Sequence, residues 1–552
     1  METHGKRRVP TVAIWCSTTA MLLALALEKP VVVSANQGDT AAKHNAAAAA
    51  ASVNITAICV ATPYPRACET ALSSTAARRD PFAASVQFAM AWAASARVLA
   101  RDLSSTPPRR ATSGMDDCAE LLDISLDQLR DALAGAADAD SAGVTTWLSA
   151  ALTNQGTCRD GLAAAAAHAP PGRDAVRARV AALEQFIGTA LALHAAKHND
   201  TGPPPPPPPA TASFPSWLTK HDRRLLSSGG VIAPDAVVAL DGSGTHTSIG
   251  DAIAAVTAHA ARPAARGGGG GNRKVIYVKA GRYEESVSIT SKQKNVMLVG
   301  DGKGKTVISG HKSVAGGYTT YASATVAAMG SGFIAKGLTI GNSAGPGKGQ
   351  AVALRVGGDL SVVYQCSIEA YQDTLYVHSN RQFYAANDIS GTVDFIFGNA
   401  AVVIQGCEIR PRRPSPGQED TVTAQGRSDP NQNTGISIHR CRITGAPDLG
   451  GTPVYLGRPW HRYSRTVVMD TFLDRSIAPA GWLEWSGQFG LNTLYYGEYG
   501  NSGPGAVTRQ RVTWRGVHTY MSTSDATRFT VANFIVGDAW LRGTGVTYTS
   551  GL

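Results

Sequence analysis

From Val231 onward the apolar positions fall in short Val-, Ile- and Tyr-rich runs separated by Gly, Asn and Asp, among them 274–278, 296–299, 333–335 and 401–404. Such runs, bounded by turn formers, predict strands. Two stretches break the pattern. Tyr371-Gln372-Asp373-Thr374-Leu375-Tyr376 and Gly391-Thr392-Val393-Asp394-Phe395-Ile396-Phe397-Gly398-Asn399 set an aspartate among apolar residues, inside runs that read as strands, where Asp is depleted. One isolated buried Asp is explained as a structural hydrogen-bond acceptor. The spacing argues for more, because Gln350 precedes Gln372 by 22 positions and Asp373 precedes Asp394 by 21. A step of about twenty residues, too short to bury its own core, predicts a stacked solenoid. The fold class expected is therefore an all-β, right-handed parallel β-helix with coils about 4.8 Å apart. Gln350, Gln372 with Asp373, and Asp394 then line one face on three successive coils.

The first part of the chain is patterned differently. Between residues 48 and 200 it is rich in Ala and Leu with helical periodicity, as in Leu121, Leu122, Leu126, Leu129 and Leu133, which predicts an up-and-down all-α bundle. Its polar residues read as solvated faces. Seven consecutive prolines, Pro203 to Pro209, predict a polyproline spacer. In the same linker, 201–230, Arg223-Arg224-Leu225-Leu226 offers a dibasic processing site. The β-helical part is then 231–552, with Gly267 to Gly271 as a loop insertion. At the other end, Lys6-Arg7-Arg8 precedes an apolar run from Val9 to Leu27. Residues 1–35 thus read as a secretory signal peptide or a retained signal anchor.

Composition sharpens this picture. With 552 residues the chain expects at least two domains, and its formal charge of +10 calls for an acidic partner or surface. Nucleic acid does not fit, since no zinc-finger spacing or RNA-recognition signature occurs and the basic residues are scattered. In an exported chain Cys59 with Cys68, and Cys118 with Cys158, read as disulfides, the first closing a hairpin and the second tying two helices. Sequons at Asn54-Ile55-Thr56 and Asn199-Asp200-Thr201 suit a glycoprotein.

Two carboxylates one strand spacing apart do not both ionise freely, so one becomes an acid and the other a base or nucleophile. Arg458, in Leu456-Gly457-Arg458-Pro459-Trp460, is the residue expected to hold one of them ionised. Amide donors such as Gln350 and Gln372 suit an oxyanion. This set permits ester hydrolysis through an acyl-enzyme, and equally glycoside hydrolysis. Tyr376, Phe397 and Trp460 are candidates for stacking on sugar rings, while the lone His378 and His461 read as structural or rim residues.

At these residues the chain resembles the plant pectinesterases (pectin methylesterases, carbohydrate esterase family 8). The resemblance rests on Gly281-Arg282-Tyr283-Glu284-Glu285, Gln350-Ala351-Val352-Ala353-Leu354-Arg355, the two aspartate motifs and Leu456 to Trp460, in that order. The bundle, with its four cysteines and Trp147 to Asn154, resembles the pectinesterase-inhibitor domain, and Phe214 to Leu218 with Arg223 to Leu226 the family's processing region. The resemblance implies that Asp394 is the nucleophile on the C6 methyl ester of galacturonate and Asp373 the acid and then base. It implies that Gln372 stabilises the oxyanion with help from Gln350, and that Arg458 positions Asp394. Thr320, Gln350, Arg458 and Trp460 would contact methylated homogalacturonan. No metal or organic cofactor is implied. The resemblance further implies a secreted, monomeric cell-wall enzyme, membrane-anchored before processing if the signal is retained, cut by a subtilisin-like protease and open to pectinesterase-inhibitor proteins. A cell-wall role suits a half that holds 30 Lys and Arg against 22 Asp and Glu from Val231 onward. Two other readings stand beside it: a polygalacturonan hydrolase or lyase on the same fold, and a non-catalytic wall-binding or inhibitor protein.

One departure from the family pattern concerns Asn387, where many plant members have a cysteine bridged to the one matching Cys407. Cys366 and Cys407 sit two coils apart, about 9.6 Å by strand spacing, so Cys366, Cys407 and Cys441 are expected to be free thiols.

Overall fold

The structure is a computed structural model that describes residues 54–73, 80–104, 114–138, 140–164, 172–199, 234–258 and 273–552. The leader, the proline spacer, the dibasic site at Arg223 to Leu226 and the Gly267 to Gly271 insertion lie outside the described residues.

Among the described residues six helices make up the N-terminal part: α1 (Ile55–Val60), α2 (Pro65–Ala71), α3 (Pro81–Ser104), α4 (Gly114–Ala137), α5 (Ser141–Ala164) and α6 (Arg173–Asn199). The leucine stripe of α4 does what its spacing dictates, with Leu121, Leu122, Leu126 and Leu129 fully or almost fully buried. On α3 the buried face is mostly alanine, at 89, 93, 96 and 100, with Ser85 and Val86 at its head. Such small side chains let the neighbouring helices come close. Cys59–Cys68 links α1 to α2 and Cys118–Cys158 links α4 to α5, the pairing the sequence predicts.

Beyond Pro234 the chain winds into a parallel β-helix. Its strands form three sheets of 11, 7 and 8 strands among the described residues, every pairing between named strands parallel. The seven-stranded sheet carries the motifs. Leu354 pairs with Leu375 and Leu375 with Ile396, so the step of 21 holds across these coils. Side chains alternate across the strands. Val326, Leu354, Leu375 and Ile396 point into a core that runs the length of the β-helix. The alternate row, Ser288, Ala327, Arg355, Tyr376, Phe397, Ala424 and Arg458, points out.

Two expectations need correction. Asp373 and Asp394 are not inside strands. Each occupies the turn just before one (Leu375–Val377 and Ile396–Gly398), with φ of 64° and 53°. In this left-handed region a side chain is mildly strained, and Asp tolerates it better than most residues. Repetition of the same unusual turn on adjacent coils is what brings the two carboxyls together. The second correction concerns Gln350, which by this register stands level with Tyr371 and not with Gln372, because the coil step is 21 and their separation is 22.

Cys366, Cys407 and Cys441 are free and buried, as expected. Asn387 occupies the level between the first two. Its Oδ1 accepts from Cys366 N at 2.8 Å, its Nδ2 donates to Val363 O at 2.9 Å, and its backbone N donates to Cys407 Sγ at 3.4 Å. An amide thus replaces a crosslink as the joint between coils. Asn387→Ala would strand a buried N–H and a buried C=O, and we expect a loss of about 2–4 kcal/mol, read as a lower urea midpoint at unchanged m-value.

Candidate active site

Four adjacent strands of the seven-stranded sheet, through Tyr376, Phe397, Ala424 and Arg458, form one wall of a cavity of about 340 Å³. All nine side chains named from the sequence line it: Thr320, Gln350, Gln372, Asp373, Tyr376, Asp394, Phe397, Arg458 and Trp460. Tyr376 and Phe397 follow the two aspartates by three residues each. On adjacent strands their rings stack, with centroids 4.2 Å apart, and Trp460 approaches Phe397 at 5.9 Å. An aromatic floor beside two carboxyls therefore follows directly from the repeated motif.

The two aspartates have different surroundings. Arg458 Nε donates to Asp394 Oδ1 at 2.8 Å and Nη2 to Oδ2 at 2.7 Å, a bidentate pair. Burial alone would pull Arg458 down, yet the hydrogen bond and charge of Asp394 carry it above its ordinary value. Asp373 has no such partner. Burial, and then the charge of Asp394, push its carboxyl well above the usual range, with Arg458 opposing. One carboxyl is thus paired and oriented by Arg458, while burial raises its neighbour.

Several participants were not visible in the sequence. Thr421 Oγ1 donates to Asp394 Oδ1 at 2.7 Å and also accepts from Asp394 N at 2.8 Å; a Thr at a strand start carries no signal of its own. Trp485 lies 4.6 Å from the Arg458 guanidinium, ring centre to carbon. Asp420, fully buried, has neither carboxyl oxygen hydrogen-bonded, and burial with the charges of Asp394 and Asp448 pushes it up to about 9. It is a third carboxyl beside the site, held neutral.

The largest correction comes from α5. Thr146, Ser149, Thr153 and Thr157 recur at three- and four-residue spacing on one side of that helix, so they share a face. That face is not solvated. Thr157 Oγ1 lies 3.0 Å from His378 Nε2 and 3.3 Å from Tyr376 OH. Asn399 Nδ2 donates to Thr153 Oγ1 at 2.9 Å, Gln432 Nε2 to Ser149 O at 3.0 Å, and Asn433 Nδ2 to Thr146 Oγ1 at 2.9 Å. Thr157, Asp160 and Gly161 line the same cavity as the aspartates. The apolar floor residues Tyr376, Phe397 and Ala424 belong to the hydrophobic core of the bundle. Short hydroxyl side chains pack closely and bond across a face that would otherwise be apolar. Both histidines lie at this contact: burial lowers His378 to about 3 and His461, stacked on Trp460, to about 4.

Comparison with known proteins agrees with both halves. A family model described as Pectinesterase matches residues 235–538, and one described as Plant invertase/pectin methylesterase inhibitor matches 53–193. The chain is 50% identical over 483 residues to a probable pectinesterase/pectinesterase inhibitor 35 of Arabidopsis thaliana, covering 85% of this chain and 88% of that one. It is 46% identical to pectinesterase 2 of Citrus sinensis, covering 90% and 94% respectively. Among solved structures, a pectin methylesterase from carrot superposes with a TM-score of 0.55 at 52% identity. The match spans 99% of the carrot chain but 58% of this one.

An ordinary aspartate titrates near pH 4. We expect the Asp373 carboxyl to stay protonated well above that pH, seen as a C=O stretch lost in Asp373→Asn by difference infrared spectroscopy; a group already ionised near pH 4 would contradict the assignment of its surroundings.

Proposed function

The chain belongs to the pectinesterase family, whose members remove methyl esters from pectin, and we propose that it does so with Asp394 as nucleophile and Asp373 as general acid and base. The observation that carries this reading is the contrast between the two carboxyls. Asp394, ionised and aimed by Arg458 and Thr421, attacks the C6 carbonyl carbon of a methylated galacturonate. The electron pair moves to the carbonyl oxygen, where the Gln372 amide, with Gln350 beside it, supplies hydrogen bonds that strengthen as charge develops. When the tetrahedral adduct collapses, methanol leaves with the proton of Asp373. The acyl group is now an anhydride of Asp394. Asp373, ionised, takes a proton from water; the hydroxide adds to the acyl carbon, and galacturonate departs, restoring both carboxyls. Thr320, Trp460 and the Tyr376–Phe397 floor hold the polymer across the cleft. A hydrolase or lyase acting on the polygalacturonan backbone would shorten the chain instead of releasing methanol.

In the full chain α5 occupies this cleft. We read the bundle as an intramolecular cover, removed when a subtilisin-like protease cuts after Arg223-Arg224-Leu225-Leu226 in the secretory route or the wall. Because Thr157 and Asp160 reach the cavity wall itself, a pectin chain and the bundle exclude one another.

Methanol release from highly methylated pectin tests the reading. Fragment 234–552 should be active, the uncut chain silent, and Asp394→Ala inactive. Gln372→Ala should lower kcat by about a hundredfold to a thousandfold. A well-folded fragment that releases no methanol would refute the esterase.

The cover also responds to pH. Asp117, accepting from Thr319 Oγ1 across the contact, is raised from 3.8 to about 6 by burial; Thr319 and Arg355 oppose this, and Glu120 and Asp116 add to it. A carboxyl raised in the docked state favours docking at low pH, and its contribution disappears as pH rises through about 6. The neutral His378 and His461 act in the opposite sense, so the group is isolated by comparison. In the cut protein, Asp117→Asn should hold its bundle more tightly than wild type above about pH 6. The two should converge below about pH 4, measured by retention of the bundle on gel filtration.

A further inference from the structure

Resting on the reading of the bundle as a cover, we propose that three successive turns of the β-helix, at His378, Asn399 and Gln432-Asn433, form a docking ladder for one α-helix. The helix it fits offers a hydrogen-bonding partner on each of its own turns, as α5 does. These turns join the seven-stranded sheet to the eleven-stranded one, and the strands they lead into, Arg381–Ala385, Ala401–Gln405 and Gly435–His439, pair in that order. Along α5 the partners run in reverse: Thr157 lies 3.0 Å from His378 Nε2, Thr153 accepts from Asn399, and Ser149 and Thr146 accept from Gln432 and Asn433. The fit is one of pitch. A helical turn rises about 5.4 Å and a coil about 4.8 Å, so each turn of the helix meets a new coil. The drift across three coils stays within the reach of a side chain.

The last of the three turns is enlarged. Residues 426–434 make it, where the coil before turns on Asn399 and Ala400 alone. Two guanidiniums brace it: Arg427 Nε donates to Gln432 O at 2.9 Å and its Nη2 to Pro430 O, while Arg465 Nε donates to Thr434 O at 2.7 Å. Ser428 N and Asp429 N donate to Gln432 Oε1 at 3.0 and 3.2 Å. Gln432 thus uses its oxygen inside the turn and gives its Nε2 to Ser149 O. Asn399 is divided the same way, its Oδ1 accepting from Gln425 Nε2 at 3.0 Å while Nδ2 reaches Thr153. Each amide is therefore aimed by the β-helix itself, which lowers the ordering cost when the helix docks. Tyr64 OH, donating to Asp429 Oδ2 at 3.1 Å, adds a contact from elsewhere in the bundle. His378, Asn399, Gln432 and Asn433 do not line the cavity that holds the two aspartates. Pectin and the cover compete for the floor, but the ladder serves the cover.

The test uses the whole chain cut after Leu226, where contacts alone hold the bundle because neither disulfide joins the two halves. Retention of the bundle is read by gel filtration at graded dilution, without substrate. Gln432→Glu keeps the oxygen that braces the turn and sets a second one against Ser149 O; at pH 7 it should weaken retention about a hundredfold. Asn433→Ala and Thr146→Val remove opposite ends of one bond. Each should weaken retention about tenfold, and the two together little more than either alone. Misfolding of one half would not reproduce that non-additivity, since the two residues lie on different halves. With the bundle diluted away, kcat and KM of the Asn433→Ala enzyme on highly methylated pectin should stay within about twofold of wild type. Unchanged retention, effects that multiply, or a fall in kcat matching the loss of retention would overturn the ladder. Retention involves no turnover, so absence of methanol release would overturn the esterase reading alone.

Discussion

The lateral hydrogen bonds between successive coils are the constraint on which the rest of the molecule depends. Because parallel strands stack in register, whatever departs from the strand pattern on one coil is reproduced beside the same departure on the next. Asp373 and Asp394 share a left-handed turn, Tyr376 and Phe397 share an outward position three residues on, and Arg458 arrives on the same row two coils later. No loop has to be positioned independently to bring the acidic pair, its cation and the stacked rings of Tyr376 and Phe397 together. The acidic pair, its cation and the stacking floor are consequences of one repeat and its register.

That arrangement also explains how like charges are kept from cancelling one another's use. Arg458 and Thr421 pair with one carboxyl, and burial, then the charge of that neighbour, raises the other. Asp420, buried close by without partners, remains neutral for the same reason. The aromatic floor is apolar, and α5 meets it with a row of short hydroxyls. Contact through Thr153 and Thr157 satisfies polar groups of the β-helix while the bundle's core closes over the rings.

Much of this was legible from spacing. The step between Gln350, Gln372, Asp373 and Asp394 pointed to stacked coils, and the motifs around them, with the family resemblance for Thr320, named nine side chains that share one cavity. Strand limits were less legible, since Asp373 and Asp394 turn the backbone without glycine, the usual mark of a left-handed residue. Thr421 was invisible as a site residue because nothing local distinguishes it; its meaning lies in the strand it abuts. The face of α5 was misread for a related reason. Threonines and serines at helical spacing look solvated when the surface they meet is hundreds of residues away in the chain.

Both disulfides of the described residues lie in the bundle, whereas the β-helix is jointed at the equivalent level by the Asn387 amide between two thiols. The covalent reinforcement therefore belongs to the cover and not to the catalytic machinery. Under the proposed reading of the bundle as a cover, the two halves answer to different environments: a reductant would loosen the restraint and leave the β-helix untouched, acting as an agonist before it acts as a denaturant.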